Sequence, residues 1–174
     1  MQLNLPILNH LANSQNILIA GAGGGFDIFS GLPLYFTLRD MGKTVHLANY
    51  SFTELSLARI VSEPEILING LLVGARGPLQ HLLPYYPEGY LSQWFREVRD
   101  ENVTVWMFAK MGAVPLAEAY ERLVSHLGID AIILVDGGVD SLMRRDTARG
   151  LDFPGSSRHA GHPYQTACMY WIWY

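Results

Sequence analysis

The sequence has little cysteine, little lysine and no concentrated basic charge. Cys168 is the only cysteine of the 174 residues, which excludes a disulfide framework within the chain. The twelve Lys and Arg residues are scattered, only two of them are lysines, and the formal net charge is −4. The chain therefore lacks the basic stripe of a nucleic-acid-binding protein, and no nucleic-acid partner is expected.

Long hydrophobic runs are absent as well. No stretch reaches the roughly 18 apolar residues of a membrane span, and residues 1–16 lack the basic n-region of a signal peptide. We therefore expect no membrane segment and a cytoplasmic location. With 49% hydrophobic and 16% charged residues, the composition is globular. We expect one domain over residues 1–146 and an irregular tail over residues 147–174, where neither the helical nor the strand period is visible.

The apolar periodicity predicts an α/β fold of Rossmann-like type. Such a fold is an open, mostly parallel sheet with helices on both faces, in three layers. Short runs that are apolar at every position are typical of buried parallel strands. Strands are predicted at 16–20, within 66–75, and at 44–49, 103–109 and 131–135; helices are predicted between Ser30 and Gly42, and at 51–63, 88–100 and 114–127. Ser30 is expected to cap the first helix, and Ser51 with Glu54 to form a capping box at the second.

The turn after the first strand is rich in glycine. Four of its five residues are glycines: Gly21, Gly23, Gly24 and Gly25. Free N–H groups at the start of the following helix attract phosphate or carboxylate, and glycines let a ligand approach the backbone. Gly21-Ala22-Gly23 opens the dinucleotide fingerprint, but Phe26 stands at the third glycine position and Asn49 near the expected acid. A hydride-transfer enzyme is thus disfavoured, while a small-molecule site and a ligand-free tight turn both remain open.

Asp27 and Lys110 are charged residues that the fold could bring to this turn. Asp27 could cap the turn, hold a ribose hydroxyl, or bind a cation that itself binds phosphate. Lys110 directly follows the predicted strand at 103–109. If that strand neighbours the first one, Lys110 supplies a counter-charge for phosphate or carboxylate; otherwise it is an ordinary exposed lysine.

The last predicted strand runs into a second glycine-containing turn. Its residues of interest are Asp136, Gly137, Gly138 and Asp140. Two carboxylates around a flexible glycine pair could hold Mg²⁺ or position a water molecule. Alternatively, Asp140 or Ser141 caps a following helix.

Histidines and nucleotide motifs add little. His46 lies within a predicted strand and is expected to be packed, whereas His159 and His162 are a weak metal signal beside Cys168. Gly42-Lys43-Thr44 ends like a P-loop, but it lies between a helix and a strand, which is the wrong context.

Several segments in one order resemble a known family. They are AGAGGGFDIFSGLPL (20–34), LANYSFTEL (47–55), YYPEGYLSQW (85–94), PLAEAY (115–120) and LVDGGVDSLMR (134–144). Together they resemble family 1152 of the domains of unknown function over residues 16–146. The resemblance implies a fold and the same two places, the turn with Asp27 and the turn with Asp136, but no activity. The likeness ends near residue 146, and we hypothesise a truncated or frameshifted product.

The sequence thus predicts binding of a nucleotide with Mg²⁺, or of another small anionic metabolite, by a metal-assisted transferase or hydrolase. The proposed catalytic residues are Asp27, Asp136 and Asp140; the proposed binding residues are Gly21, Gly23, Gly24, Gly25, Asn49, Lys110, Gly137 and Gly138. The alternative is a non-catalytic binding or assembly module, because no nucleophile–base set is recognisable. The oligomeric state stays open, a homo-oligomer included.

Overall fold

The computed structural model describes residues 10–137 and 171–173 of this α/β protein. The strands are β1 (Asn16–Gly21), β2 (Thr44–Tyr50), β3 (Glu65–Ile68), β4 (Leu72–Ala75), β5 (Val105–Phe108), β6 (Ala131–Val135) and β7 (Trp171–Trp173). The helices are α1 (Asp27–Ser30), α2 (Leu32–Asp40), α3 (Leu55–Val61), α4 (Pro87–Arg99) and α5 (Ala113–Leu127).

All seven strands form one mixed sheet in the order β3-β4-β5-β2-β1-β6-β7. The four central strands, β5, β2, β1 and β6, are parallel to one another. The outer pairings, β3 with β4, β4 with β5 and β6 with β7, are antiparallel. The predicted α/β class is confirmed, and the parallel strands occupy the middle of the sheet.

Strand β1 is apolar at consecutive positions because it packs on both faces. Ile17 and Ile19 of β1 belong to one buried cluster, which also holds Leu38 of α2 and Phe95 of α4. Leu18 and Ala20, on the opposite face of β1, belong to a second buried cluster, together with residues of α5. A strand with helices against both faces exposes no position to water, so it shows no alternation in its sequence.

The segment at 66–75 is a β-hairpin rather than one strand. β3 and β4 pair antiparallel, and the connection between them contains Asn69-Gly70, with Gly70 at φ +74°. Asn-Gly is a strong hairpin signal because a tight hairpin turn needs residues that accept positive φ.

Two predicted helix caps are wrong. Helix α3 begins at Leu55, and neither α2 nor α3 has a side-chain cap hydrogen bond. Ser51 instead follows β2 directly, and its Oγ accepts a hydrogen bond from the backbone N–H of Thr53, 3.0 Å away. The Ser30 hydroxyl donates to the backbone oxygen of Asp27 at 2.6 Å, so it is turned away from the start of α2.

Part of the predicted irregular tail is ordered into the sheet. Trp171–Trp173 forms β7, which pairs antiparallel with β6 so that Ile132 lies opposite Trp173. The expectation of no strand there was wrong, because three residues are too few to show a period. The rest of the tail lies outside the described residues. Among those described, no helix combines the length and apolar character that a membrane crossing needs.

Lys43 is a buried lysine. Its side chain is 9% exposed, and its Nζ donates to the backbone oxygens of Leu11, at 2.8 Å, and Ser14. The ammonium group thus ties the segment before β1 to the start of β2. This contact agrees with the rejection of Gly42-Lys43-Thr44 as a phosphate-binding motif.

Replacement of this ammonium is therefore expected to destabilise the fold. Lys43→Met should lower the free energy of unfolding by about 2 to 3 kcal/mol, because it removes charge-assisted hydrogen bonds from two backbone carbonyls. Lys110→Met, at the chain's other and exposed lysine, should change it by less than about 1 kcal/mol. Urea unfolding of the two variants measures both values. Equal losses would show that the carbonyl contacts of Lys43 contribute nothing.

Candidate functional site

The loops after the central strands start side by side at one edge of the sheet. Gly21, the last residue of β1, pairs in register with Asn49 of β2 and with Val135 of β6. The N–H of Ala22 donates to the oxygen of Val135 at 2.8 Å, so the glycine turn begins against the end of β6. Residues Gly21 to Asp27 and Asp136 to Gly137 are thereby neighbours.

The adjacency of β1 and the strand at 103–109, the condition for Lys110 to reach the glycine turn, is not met. That strand is β5, and it pairs with β2, which separates it from β1. The two neighbours of β1 are β2 and β6. The glycine turn therefore meets the Asp136 turn directly, whereas Lys110 follows a strand one position further along the sheet.

The glycine turn depends on its glycines at two positions above all. Gly24 has φ +88°, and a Cβ atom there would lie 2.6 Å from the ring of Phe52. A Cβ atom on Gly21 would lie 2.1 Å from Oδ1 of Asn49. Both distances are far below contact, so the backbone at this turn is pressed against neighbouring side chains.

Two predicted acidic residues converge at Gly23. A Cβ atom on Gly23 would lie 2.4 Å from Oδ2 of Asp27 and 3.3 Å from Oδ1 of Asp136. The other oxygen of Asp27 accepts a hydrogen bond from the N–H of Gly137 at 3.2 Å. Asp27 thus joins the two turns, and the structure brings together residues that lie more than 100 positions apart. Gly138 and Asp140 lie outside the described residues.

Asn49 supports the glycine turn from behind. Its side chain is fully buried, and Nδ2 donates both to the oxygen of Gly25, at 3.0 Å, and to Oε1 of Glu88, at 2.8 Å. Its Oδ1 is buried and has no hydrogen-bond partner among the described residues. Asn49 was predicted as a binding residue; the structure places its amide nitrogen on the turn's backbone.

Glu88 is a site residue that sequence reasoning missed. It lies in the first turn of α4, is fully buried, and accepts hydrogen bonds from Asn49 and from the hydroxyl of Thr53, at 3.3 Å. Burial raises the pKa of Glu88, although its hydrogen bonds act in the opposite direction. Acidic residues are common in the first turn of a helix at the protein surface. The local sequence therefore gave no indication that Glu88 is buried.

Tyr85 adds a hydroxyl beside the turn. Its oxygen is buried, has no hydrogen-bond partner among the described residues, and would lie 3.6 Å from a Cβ atom on Gly25. Burial raises the pKa of Tyr85, and the negative charges of Glu88 and Asp27 raise it further. The hydroxyl therefore keeps its proton and can donate a hydrogen bond to an acceptor near Gly25.

Lys110 lies beside the turn rather than on it. It is exposed, its Nζ lies 5.4 Å from the centre of the Phe52 ring, and the same ring contacts Gly24. Phe52 and Lys110 also line a separate pocket that contains no residue of the glycine turn. The predicted cation is thus near the turn, with an aromatic ring between them.

One histidine, His46, is placed as the sequence predicted. Nε2 of His46 lies 2.8 Å from Oδ1 of Asn16, and burial lowers the pKa of His46, so the residue is packed as predicted. In residues 10–137, no three His, Cys, Asp or Glu side chains gather as a group that could hold a metal ion. His159 and His162 lie outside the described residues.

Comparison of the chain with family models, curated proteins and solved structures gave no match. The resemblance to family 1152 of the domains of unknown function therefore stays a prediction.

The buried acid generates a pH-dependent prediction. Because its pKa is raised in the folded protein, Glu88 stabilises the fold fully below its unfolded pKa of about 4.5, and this contribution is lost as pH rises through the folded pKa. Glu88→Gln keeps an acceptor for Asn49 and a polar partner for Thr53 but cannot ionise. Above pH 4.5, wild type should therefore lose stability relative to Glu88→Gln, by up to about 1.4 kcal/mol per pH unit.

Urea unfolding of both proteins from pH 4 to pH 8 measures this difference. Glu97→Gln, at an exposed position of the same helix, is the matched control and should show no comparable trend. Parallel pH profiles for wild type and Glu88→Gln would contradict the raised pKa.

Proposed function

We propose that this protein binds a nucleotide, or another small anionic metabolite, in the crevice between the glycine turn and the Asp136 turn. The observation that carries this proposal is the order of the parallel strands. Along the chain, β1, β2, β5 and β6 are the first to fourth parallel strands, and across the sheet they stand third, second, first, fourth. Sheets of this order bind ligands where the order reverses, beyond the carboxyl ends of the first and fourth strands. The same order supports a Rossmann-like, three-layer arrangement as part of the proposal.

The charge at the crevice limits how an anion can bind there. Asp27 and Asp136 converge at Gly23, so a phosphate group placed directly between them would be repelled. Mg²⁺ resolves this conflict, because it takes carboxylate oxygens and phosphate oxygens as ligands and keeps several waters. The two carboxylates would then supply the protein's share of the coordination, and a metal-assisted transferase or hydrolase follows as the proposed reaction class.

The remaining predicted residues have supporting roles in this proposal. Gly24 and Gly25 hold the backbone in the left-handed conformation that lets a ligand approach, and Asn49 fixes the oxygen of Gly25. The Tyr85 hydroxyl is a donor for a ligand oxygen. Gly138 and Asp140 keep their proposed places on the sequence pattern alone.

One observation favours a second candidate, a non-catalytic binding or assembly module. The carboxylate of Asp27 accepts the N–H of Gly137 and so holds two loops together, which is a structural task. A carboxylate used in this way needs no substrate. Turnover of a bound nucleotide would separate the enzyme from the module.

A thermal-shift screen tests the proposal. The purified chain is melted with NAD, NADP, ATP, ADP, S-adenosylmethionine and simple phosphorylated metabolites, each with and without Mg²⁺. A ligand at 100 times its Kd should add about 2.7 kcal/mol of stability, which corresponds to a rise in Tm of about 5 to 10 °C for a domain of this size. The rise that comes from binding in the crevice should require Mg²⁺.

Charge-neutral variants locate the effect. Asp136→Asn should abolish the Mg²⁺-dependent rise, because asparagine has the shape of aspartate but lacks the negative charge that binds the metal. Asp100→Asn is the control: Asp100 lies at the end of α4 with φ 54°, a conformation that asparagine also accepts. A melt that no ligand shifts in the presence of Mg²⁺, or a Mg²⁺-dependent shift that Asp136→Asn leaves intact, would overturn the proposed site.

A further inference from the structure

A second pocket lies on the same edge of the sheet, next to the crevice. Its volume is about 450 Å³, and it is bounded by the segment after β2, the start of α3, the β3–β4 turn and the residues after β5. Ser51 and Lys110 follow neighbouring parallel strands, and the N–H of Ser51 donates to the oxygen of Phe108 at 2.8 Å. The pocket is therefore built on the end of the central sheet rather than on loops alone.

Positive charge predominates in this pocket. Its lining includes Lys110 and Arg59, and Glu54 is the one acidic residue among the residues that line it. Nη2 of Arg59 donates to Oδ1 of Asn69 at 2.9 Å, so the β3–β4 turn holds the guanidinium group with other N–H groups available. This charge is opposite in sign to that of the neighbouring crevice, where Asp27 and Asp136 converge.

Polar and aromatic groups complete the pocket. The side chains of Ser51 and Thr53 are buried, the side chain of Ser56 is exposed, and all three line it. The Phe52 ring is about half exposed and lies beneath Lys110. The hydroxyls of Thr53 and Ser56 already donate to Glu88 and Glu54. The two cations and the aromatic surface are therefore the groups that can hold a ligand, and together they are typical of a site for a phosphorylated organic molecule.

We propose that this pocket is a second ligand site, which takes the phosphate group of a phosphate monoester. Lys110 provides a point charge, and Arg59 provides N–H donors in the fork geometry that suits phosphate oxygens. The organic part of the ester lies on Phe52. The pocket is distinct from the crevice of the proposed function, and its occupancy requires neither Asp136 nor Mg²⁺.

Calorimetric titration of the full chain with inorganic phosphate and with phenyl phosphate tests this site. The ester should bind more tightly than the free ion, since only the ester gains contact with Phe52. Lys110→Ala and Arg59→Ala should each weaken binding of the ester about tenfold, the loss of one charge-assisted contact. Glu54→Gln should strengthen it, because it removes the repulsive charge; a purely structural role of these residues would not produce opposite signs.

Arg122→Ala is the matched control, since Arg122 is an exposed arginine on α5 away from the pocket. It should leave the affinity unchanged. Asp136→Asn should also leave it unchanged, so that failure of the crevice proposal and failure of this one give different results. No measurable binding of phenyl phosphate, or equal affinities for wild type, Lys110→Ala and Arg59→Ala in cooperatively melting proteins, would overturn the assignment.

Discussion

The loops at the carboxyl ends of the parallel strands form one side of the sheet, the carboxyl edge. Their arrangement depends on the two hydrogen bonds that the side-chain amide of Asn49 donates. Its nitrogen has two protons, and they go to two partners from different parts of the chain, the backbone of Gly25 and the carboxyl group of Glu88. The donor is therefore fully used, and it connects the glycine turn, β2 and the first turn of α4 at one buried point. Since a Cβ atom on Gly21 would collide with the same side chain, only glycine allows β1 to end this close to β2. The position of the turn is set by this contact before any ligand is present.

An uncharged Glu88 fits this point better than a charged one. Burial raises its pKa, and a protonated carboxyl group still offers an oxygen that accepts from the Asn49 amide while it brings no charge into the interior. Ionisation would place a charge in a fully buried position where no cation of the described residues pairs with it, which is costly. Protonation of Glu88 and the placement of Gly25 are consequently linked through one amide group. A proton bound by Glu88, on the side of Asn49 away from the turn, therefore stabilises the position of Gly25 in the turn.

The sequence predicted those features that arise from local pattern. Short apolar runs indicated β1, β5 and β6, the strand–turn–helix–strand order of residues 16–49 indicated β2, and the glycine cluster indicated a tight turn after β1. The β3–β4 hairpin also had a local sequence signal, the dipeptide Asn69-Gly70. The adjacency of β1 and β6 and the burial of Glu88 could not be predicted in this way, because strand order and the depth of a helix end are decided by packing between distant segments. The site was therefore half predictable: its two turns, but not the network behind them.

Charge at the carboxyl edge is divided in a way that the sequence argument did not anticipate. An anion was expected on the glycine turn because the N–H groups of a turn and of a helix start attract negative charge. In the structure, the carboxylate of Asp27 accepts the hydrogen bond that the N–H of Gly137 donates. The helix that follows the turn, α1, has only four residues. The edge is thus acidic at Asp27 and Asp136 and basic at Lys110 and Arg59, with Phe52 contacting both Gly24 and Lys110. Any molecule that contacted both sides would be oriented by Coulomb attraction, its anionic end towards Lys110 and its hydroxyl-bearing or metal-bound end towards Asp136.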